Sequence, residues 1–224
     1  MKIGVIRFPG TNNELETIRT LNLIKNLEGI LVTHSNPQLL EKCNGAIIAG
    51  GFSYGDYLRT GAIAANSEVM DIIKDMNNDG KPILGICNGF QILTEAKILD
   101  GLLLRNERTR FISKWVQLIV SSENSFFTKK ISNKILKLPI AHNEGNYYHP
   151  DIDKMKSEGR IILQYTDQKG NITKESNPNG SMENIAGISN KAGNVLGMMP
   201  HPERASVSFL GSKDGLEILK HFAN

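Results

Sequence analysis

Short, unbroken apolar runs alternate with helix-periodic stretches through the first part of this chain, and that alternation limits the fold more than anything else in it. "KIGVIRF" (2–8), "ILVT" (30–33), "AIIAGG" (46–51) and "PILGI" (82–86) are each too short for a helix and show no polar face. Between them, Leu15, Ile18, Leu21 to Leu23 and Leu27 recur at helical spacing up to Gly29, behind an N-cap at Thr11 or Asn12. Residues 62–78 predict a second helix closed by "NNDG", and residues 89–99 a third. Strands apolar on both faces and separated by helices predict a parallel sheet covered on both sides.

From about residue 102 the texture changes. "FISKWVQLIV" (111–120) and "RIILQYT" (160–166) predict longer strands with few helices between them, forming either a hairpin-rich extension or the antiparallel edge of the same sheet. The chain then returns to an apolar strand, "NVLGMMP" (194–200), and a helix from Asp214 to Phe222. Nothing along it reads as a linker, a repeat or a low-complexity tract, so one α/β domain over 1–224 is the simplest reading. No apolar run approaches the roughly 18 to 20 residues of a membrane span. "MKIGVIRF" leads directly into a core strand without a signal-peptide pattern, so a cytoplasmic address is expected. The 26 basic and 23 acidic residues are interspersed, leaving a net charge of +3, too weak and scattered for a nucleic-acid footprint. Cys43 and Cys87, without CxxC spacing, suit a reducing compartment.

Cys87 stands at a cramped corner, Gly85-Ile86-Cys87-Asn88-Gly89, between a predicted strand and a predicted helix. This resembles a nucleophile elbow, whose reactive residue occupies a strained turn. The glycines would let the backbone double back and a substrate reach the sulfur. The following helix would aim its positive end at the sulfur and favour thiolate. A small buried cysteine between packed elements is the plainer alternative.

A cysteine nucleophile needs a base. Of the histidines, His34, His149 and His221 are expected at the surface or in turns, and His142, in "PIAHNEGNYY", is a candidate. His201, in "GMMPHPERA", is the better one, because it follows an apolar strand and so falls at the sheet edge where α/β folds keep their sites. In an extended segment Glu203 projects to the same side as His201, which makes a Cys87–His201–Glu203 relay possible. A Pro-rich turn with an exposed ion pair would give the same letters. The loop "GGFSYGDYLRTG" (50–61) opens after a buried strand and offers amides for an oxyanion. It is no phosphate loop, since Asp56 and Tyr57 stand where Lys and Ser/Thr are needed.

"GICNGFQ", "MMPHPE" and "GGFSYGDYLR" together resemble class I glutamine amidotransferases of the triad type. With "KWVQLIV", "PIAHNEGNYY", "NPNGSMENIAGI" and "MMPHPER", the chain is similar, over essentially its whole length, to the family of glutaminase subunits of phosphoribosylformylglycinamidine synthases. The resemblance implies a flavodoxin-like, mostly parallel sheet flanked by helices, with an antiparallel strand extension. It implies Cys87, His201 and Glu203 as the catalytic set, the amides of Gly51, Phe52 and Asn88 around the oxyanion, and Gln91 on the substrate, although the letters alone favour a solvated Gln91. Asn106 and Arg108 are weaker candidates for substrate contact. Asn143 departs from the family's glycine between His142 and Glu144. The implied partners are a synthetase large subunit, which would hold ATP and Mg2+, and a small accessory subunit. No metal or cofactor is expected on this chain, and one or both of "HNEGNYYHPD" and "SNPNGSMEN" are expected at the partner interface. The alternatives are a glutaminase for another amidotransferase and a stand-alone cysteine hydrolase on the same fold.

Overall fold

Glycine and turn residues break the chain into strands and helices much as the apolar runs require. A computed structural model describes residues 1–129 and 131–223. Its strands are β1 (Lys2–Arg7), β2 (Glu28–Thr33), β3 (Gly45–Ile48), β4 (Ile83–Ile86), β5 (Leu102–Leu104), β6 (Ile112–Val120), β7 (Ile135–His142), β8 (Asn146–Tyr148), β9 (Ile161–Thr166), β10 (Ile185–Ser189) and β11 (Val195–Met198). The α-helices are α1 (Glu14–Asn22), α2 (Ala62–Ala65), α3 (Glu68–Asn78), α4 (Asn88–Glu95), α5 (Ile152–Ser157) and α6 (Leu216–Leu219).

Nine strands form one sheet in the order β2-β1-β3-β4-β11-β10-β9-β6-β7, while β5 and β8 pair separately. The first five are parallel, and every residue of β3, β4 and β11 is buried, as strands covered on both faces must be. From β11 onward the pairings are antiparallel. Of the two arrangements open for the longer strands, the sheet's own antiparallel edge is the one formed. There β7 alternates buried and half-buried residues, the signature of a strand with one covered face.

The sheet also curls. β7 lies four places beyond β11, which in a flat sheet is roughly 19 Å. Yet the His201 N–H, just past β11, donates to the Pro139 carbonyl in β7 at 2.9 Å. The antiparallel half therefore folds back over the ends of the parallel strands, and this builds a wall around the site.

Two boundaries differ from expectation for physical reasons. Helix α1 ends at Asn22 rather than near Gly29, because Leu15 and Leu23 of the apparent apolar repeat are exposed. The buried face is instead Glu14, Thr17, Thr20 and Leu21. The second predicted helix is split between α2 and α3, with Asn66 and Ser67 separating them. In α4, Asn88 to Thr94 are all buried between the sheet and α2, so Gln91 is not solvated. His221 is likewise buried, with Nε2 2.6 Å from the Lys129 carbonyl. Among the described residues no helix is long and apolar enough to cross a membrane.

Candidate active site

Cys87 joins β4 to α4 with φ 50° and ψ −102°, a conformation that neither a strand nor a helix uses and that non-glycine residues rarely adopt. Its N–H donates to the Met198 carbonyl at 2.8 Å, which locks the corner to β11. The flanking glycines serve packing rather than substrate access. A Cβ on Gly89 would run into the Ile48 carbonyl oxygen at the end of β3, and one on Gly85 into Leu93 and the Gly89 backbone. Their absent side chains let α4 sit directly on β3 and β4 and carry the cysteine with it. Both cysteines are free thiols.

His201 and Glu203 are buried where the resemblance places them. His201 Nδ1 lies 2.6 Å from Glu203 Oε1. A fourth residue joins them: Asn13 Nδ2 donates to the same Oε1 at 2.7 Å and lies 3.0 Å from His201 Nδ1. Arg204 donates to Asn13 Oδ1 at 3.1 Å, which fixes the amide's orientation. The Glu203 carboxylate only accepts, so His201 Nδ1 carries the proton given to it, and Asn13 Nδ2 gives its hydrogen to Glu203 rather than to the ring. His201 Nε2 then has no partner except Cys87, which it faces. Burial disfavours a charged His201, but the Glu203 carboxylate and Cys87 outweigh it and raise its pKa to about 10. Burial pushes Glu203 up, and the His201 charge with hydrogen bonds from His201 and Asn13 more than reverses this, leaving it below the usual carboxylate range. Sequence reasoning missed Asn13. It occupies the N-cap position of α1 but makes no capping bond with its side chain, which is drawn to Glu203 instead.

The loop after β3 brings its glycines to the same place. A Cβ on Gly50 would lie 2.9 Å from His201 Cε1 and 3.5 Å from Cys87 Cβ. Gly51, at φ 152°, packs against the Gly10–Asn12 backbone too closely for any side chain. The Gly51 and Asn88 N–H groups make no hydrogen bond among the described residues and remain available to an oxyanion. Phe52 is a correction: its N–H donates to the Gly10 carbonyl at 2.9 Å, so it lines the site without supplying a donor.

Two cavities meet at Cys87. One, of about 210 Å³, is lined by Asp56, Thr60, Gln91, Arg105, His142 and Glu144 among others. The other, of about 110 Å³, lies toward Asn13, Phe111, His201 and Arg204. Gln91 accepts from Asn88 Nδ2 at 3.1 Å and donates to the Glu144 carbonyl at 2.6 Å, which pins the cavity wall. Asn106 and Arg108 do not line either cavity. Arg108 faces a separate outer groove, and Asn106 is buried behind the wall. Asn106 donates to the His142 and Arg110 carbonyls and accepts from Gly145 N–H and His142 Nδ1, so it shapes the 142–145 turn rather than touching a substrate. Arg105 takes the position at the rim.

The two polar segments expected at an interface bind each other. Buried Asn179 and Ser181 both donate to the Gly145 carbonyl, at 2.7 and 3.0 Å. These turn residues are spent inside the molecule, which removes the reason for assigning them to a partner.

His142 is neutral in the folded protein. Burial, with the nearby His201 charge, lowers its pKa to about 3. Unfolded, it would take a proton near pH 6.5, so the unfolded state binds the extra proton between about pH 6.5 and 3 and stability falls on acidification. His142→Asn keeps a donor for Asn106 but does not titrate. Its stability relative to the parent should rise by about 2 kcal/mol between pH 7 and 5. Denaturant titrations at several pH values check this, and a pH-independent difference refutes it.

Comparison with known proteins agrees with this geometry. Residues 1–213 match the CobB/CobQ-like glutamine amidotransferase domain. The chain is 52% identical over 221 residues to "Phosphoribosylformylglycinamidine synthase subunit PurQ" of Pyrococcus horikoshii, covering 98% of this chain and 96% of that protein. It is 48% identical to the protein of the same name from Aquifex aeolicus, covering 96% of each. Among solved structures it resembles a chain of PurLQS from Thermotoga maritima, with a TM-score of 0.87 and 37% identity over 100% of this chain and 97% of that one. Another glutamine amidotransferase from Thermotoga maritima shares the fold at a TM-score of 0.54 and 18% identity, over 91% of this chain and 76% of that one.

Proposed function

The chain belongs to the glutamine amidotransferases, as a glutaminase subunit of the phosphoribosylformylglycinamidine synthase family, and from that membership we propose how its residues work. It hydrolyses L-glutamine to glutamate and ammonia. The ammonia passes to a synthetase subunit for the ATP-dependent conversion of formylglycinamide ribonucleotide to formylglycinamidine ribonucleotide in purine (IMP) biosynthesis. The observation that carries the assignment is Cys87 on its strained corner, with His201 Nε2 facing it and Glu203 behind the ring.

The thiolate of Cys87 attacks the side-chain amide carbon of glutamine, and the Gly51 and Asn88 N–H groups receive the oxyanion. His201 gives its Nε2 proton to the departing nitrogen, which leaves as ammonia, and a γ-glutamyl thioester remains on the sulfur. The now neutral ring takes a proton from water as it attacks the thioester. Collapse of the second tetrahedral species releases glutamate and returns the thiolate. Glu203, held in place by the hydrogen bond from Asn13, keeps the other ring proton on Nδ1 throughout, so Nε2 is always the nitrogen that exchanges protons with the reaction.

The chain's proposed partners are a synthetase large subunit and a small accessory subunit, a reading supported by the occurrence of the Thermotoga relative in a structure named PurLQS. ATP and Mg2+ belong to the synthetase subunit, since the glycine loop here carries Asp56 and Tyr57 where a phosphate loop needs a cation and a hydroxyl. A glutamine-mimicking diazoketone tests the site. The expected result is a single adduct on Cys87 by mass spectrometry, suppressed by excess glutamine, in the chain bound to its synthetase. An unmodified Cys87 in that complex overturns the assignment.

A further inference from the structure

The two oxyanion donors sit on separate segments, and among the described residues no backbone hydrogen bond joins the segments to each other. One donor is the Gly51 N–H, in the loop after β3, and the other is the Asn88 N–H, at the start of α4. The loop is tied to the end of β1. Asn12 and Asn13 N–H donate to the Gly50 carbonyl at 3.3 and 3.2 Å, Phe52 N–H to the Gly10 carbonyl at 2.9 Å, and Tyr54 N–H to the Pro9 carbonyl at 2.6 Å. The corner that carries Asn88 is fixed elsewhere, through Cys87 N–H on the Met198 carbonyl. Among the described residues a single hydrogen bond joins residues 50–54 to α4: Ser53 N–H donates to Asn88 Oδ1 at 3.1 Å.

The polarity of this contact is forced. A backbone N–H only donates, so the amide oxygen of Asn88 faces Ser53, and its nitrogen donates to Gln91 Oε1 at 3.1 Å. Gln91 in turn directs its nitrogen to the Glu144 carbonyl at 2.6 Å. Asn88 is fully buried and lines neither cavity at Cys87, so its side chain has no contact with substrate to make. Position 53 contributes only main chain, since Ser53 Oγ is buried without a hydrogen-bond partner. The loop is not held by its own conformation either. Gly50, Gly51 and Gly55 lie on it, and Tyr54 and Asp56 have positive φ, which persists only where surrounding contacts impose it. Ser53 is two residues from Gly51, so a shift of about 1 Å there carries the Gly51 N–H outside the roughly 2.7–3.1 Å at which an oxyanion donor acts.

We infer that the Asn88 side chain, through Ser53 N–H, holds the Gly51 N–H in place opposite the Asn88 N–H, so that one residue donates to the oxyanion and also sets the position of the second donor. The inference rests on the glutaminase reading and adds a positioning role to it.

Two substitutions break the contact from opposite sides. Asn88→Leu removes the acceptor with little change in size. Ser53→Pro removes the N–H at the first residue of the short helical turn Ser53–Asp56, a place that accepts proline. Ammonia release from L-glutamine is followed in the complex with the synthetase subunit, together with alkylation of Cys87 by iodoacetamide. Alkylation displaces iodide from a methylene carbon and forms no oxyanion, so it reports the thiolate alone. Each variant should lose about 100-fold in kcat while its alkylation rate stays within about twofold of the parent. Ser53→Pro leaves Gln91 and its contacts intact, so its KM should stay within about threefold. The double variant should lose no more than either single one, because both break the same contact. A folded variant whose kcat is within about threefold of the parent overturns the inference. So do losses that multiply in the double variant, or that appear equally in alkylation, since the corner itself would then be damaged. Hydrogen exchange on the parent chain needs no variant to fold: Ser53 N–H should be protected, and a Ser53 amide that exchanges like a free one overturns the inference. A parent complex that releases no ammonia, although iodoacetamide still alkylates Cys87, overturns the glutaminase reading and takes the inference with it.

Discussion

Cys87→Gly should abolish glutamine hydrolysis and raise the melting temperature. The loss follows from removing the only group able to form the thioester, and is expected to be at least about 10⁴-fold. The gain follows from the backbone. At φ 50° and ψ −102°, Cys87 stores strain on the order of 1–3 kcal/mol, which glycine relieves because it occupies this region without a Cβ penalty. Each kcal/mol moves the melting temperature of a chain this size by roughly 2–4 °C, so a rise of about 2–12 °C is expected before glycine's extra unfolded-state entropy reduces it. Calorimetry with the ammonia assay checks both halves. A variant that melts well below the parent would show that the corner is not strained.

Gly89→Ala carries the second large effect, and it acts in the opposite direction. The added methyl would collide with the Ile48 carbonyl, a backbone atom at the end of a fully buried strand that has nowhere to move. Helix α4 must then lift from β3, and every residue from Asn88 to Thr94 is buried in that contact. A cost of about 3 kcal/mol or more is expected, at the upper end of what overpacking produces. This lowers the melting temperature by roughly 6 °C or more. Because α4 carries Cys87 and the Asn88 amide, activity should fall together with stability. Thermal unfolding and hydrolysis rates measured on one preparation decide it. An active variant that melts within a degree of the parent would mean the corner tolerates the shift.

These effects bear on what could be read from the letters. The parallel half of the fold was legible because β3, β4 and β11 are buried on both faces and leave continuous apolar runs. β7 and β10 were not read as strands. "ILKLPIAH" carries a lysine and a proline, tolerable because β7 is the last strand of its sheet, and "IAGIS" is too short and glycine-broken to stand out. Cys87, His201 and Glu203 were legible because each follows an apolar strand or its turn. Asn13 and Asp56 were not, for a shared reason. Each looks like an ordinary cap or turn residue, and only the packing of distant segments shows that the Asn13 side chain reaches Glu203 and that an Asp56 oxygen is buried without a partner. Arg108 was chosen for its place ahead of the Trp115 strand, but Arg105, directly after the end of β5, is the arginine at the rim, and Arg108 lies farther along the turn facing the outer groove.

The curl that brings Pro139 against His201 also bears on the order of events during folding. Asn13 and Glu203 are separated by 190 positions, and Cys87 and Ala141 by 54. Contacts at such separations form late, because the loops they close must be ordered first. The elbow, built from neighbouring β4 and α4, can assemble early, whereas its base arrives only with β11. A chain still emerging from the ribosome therefore holds a cysteine without a catalyst, and no glutamine is consumed until the fold is complete. Recovery of hydrolysis during refolding thus reports the last contacts to form, and lags any optical signal from the first four strands.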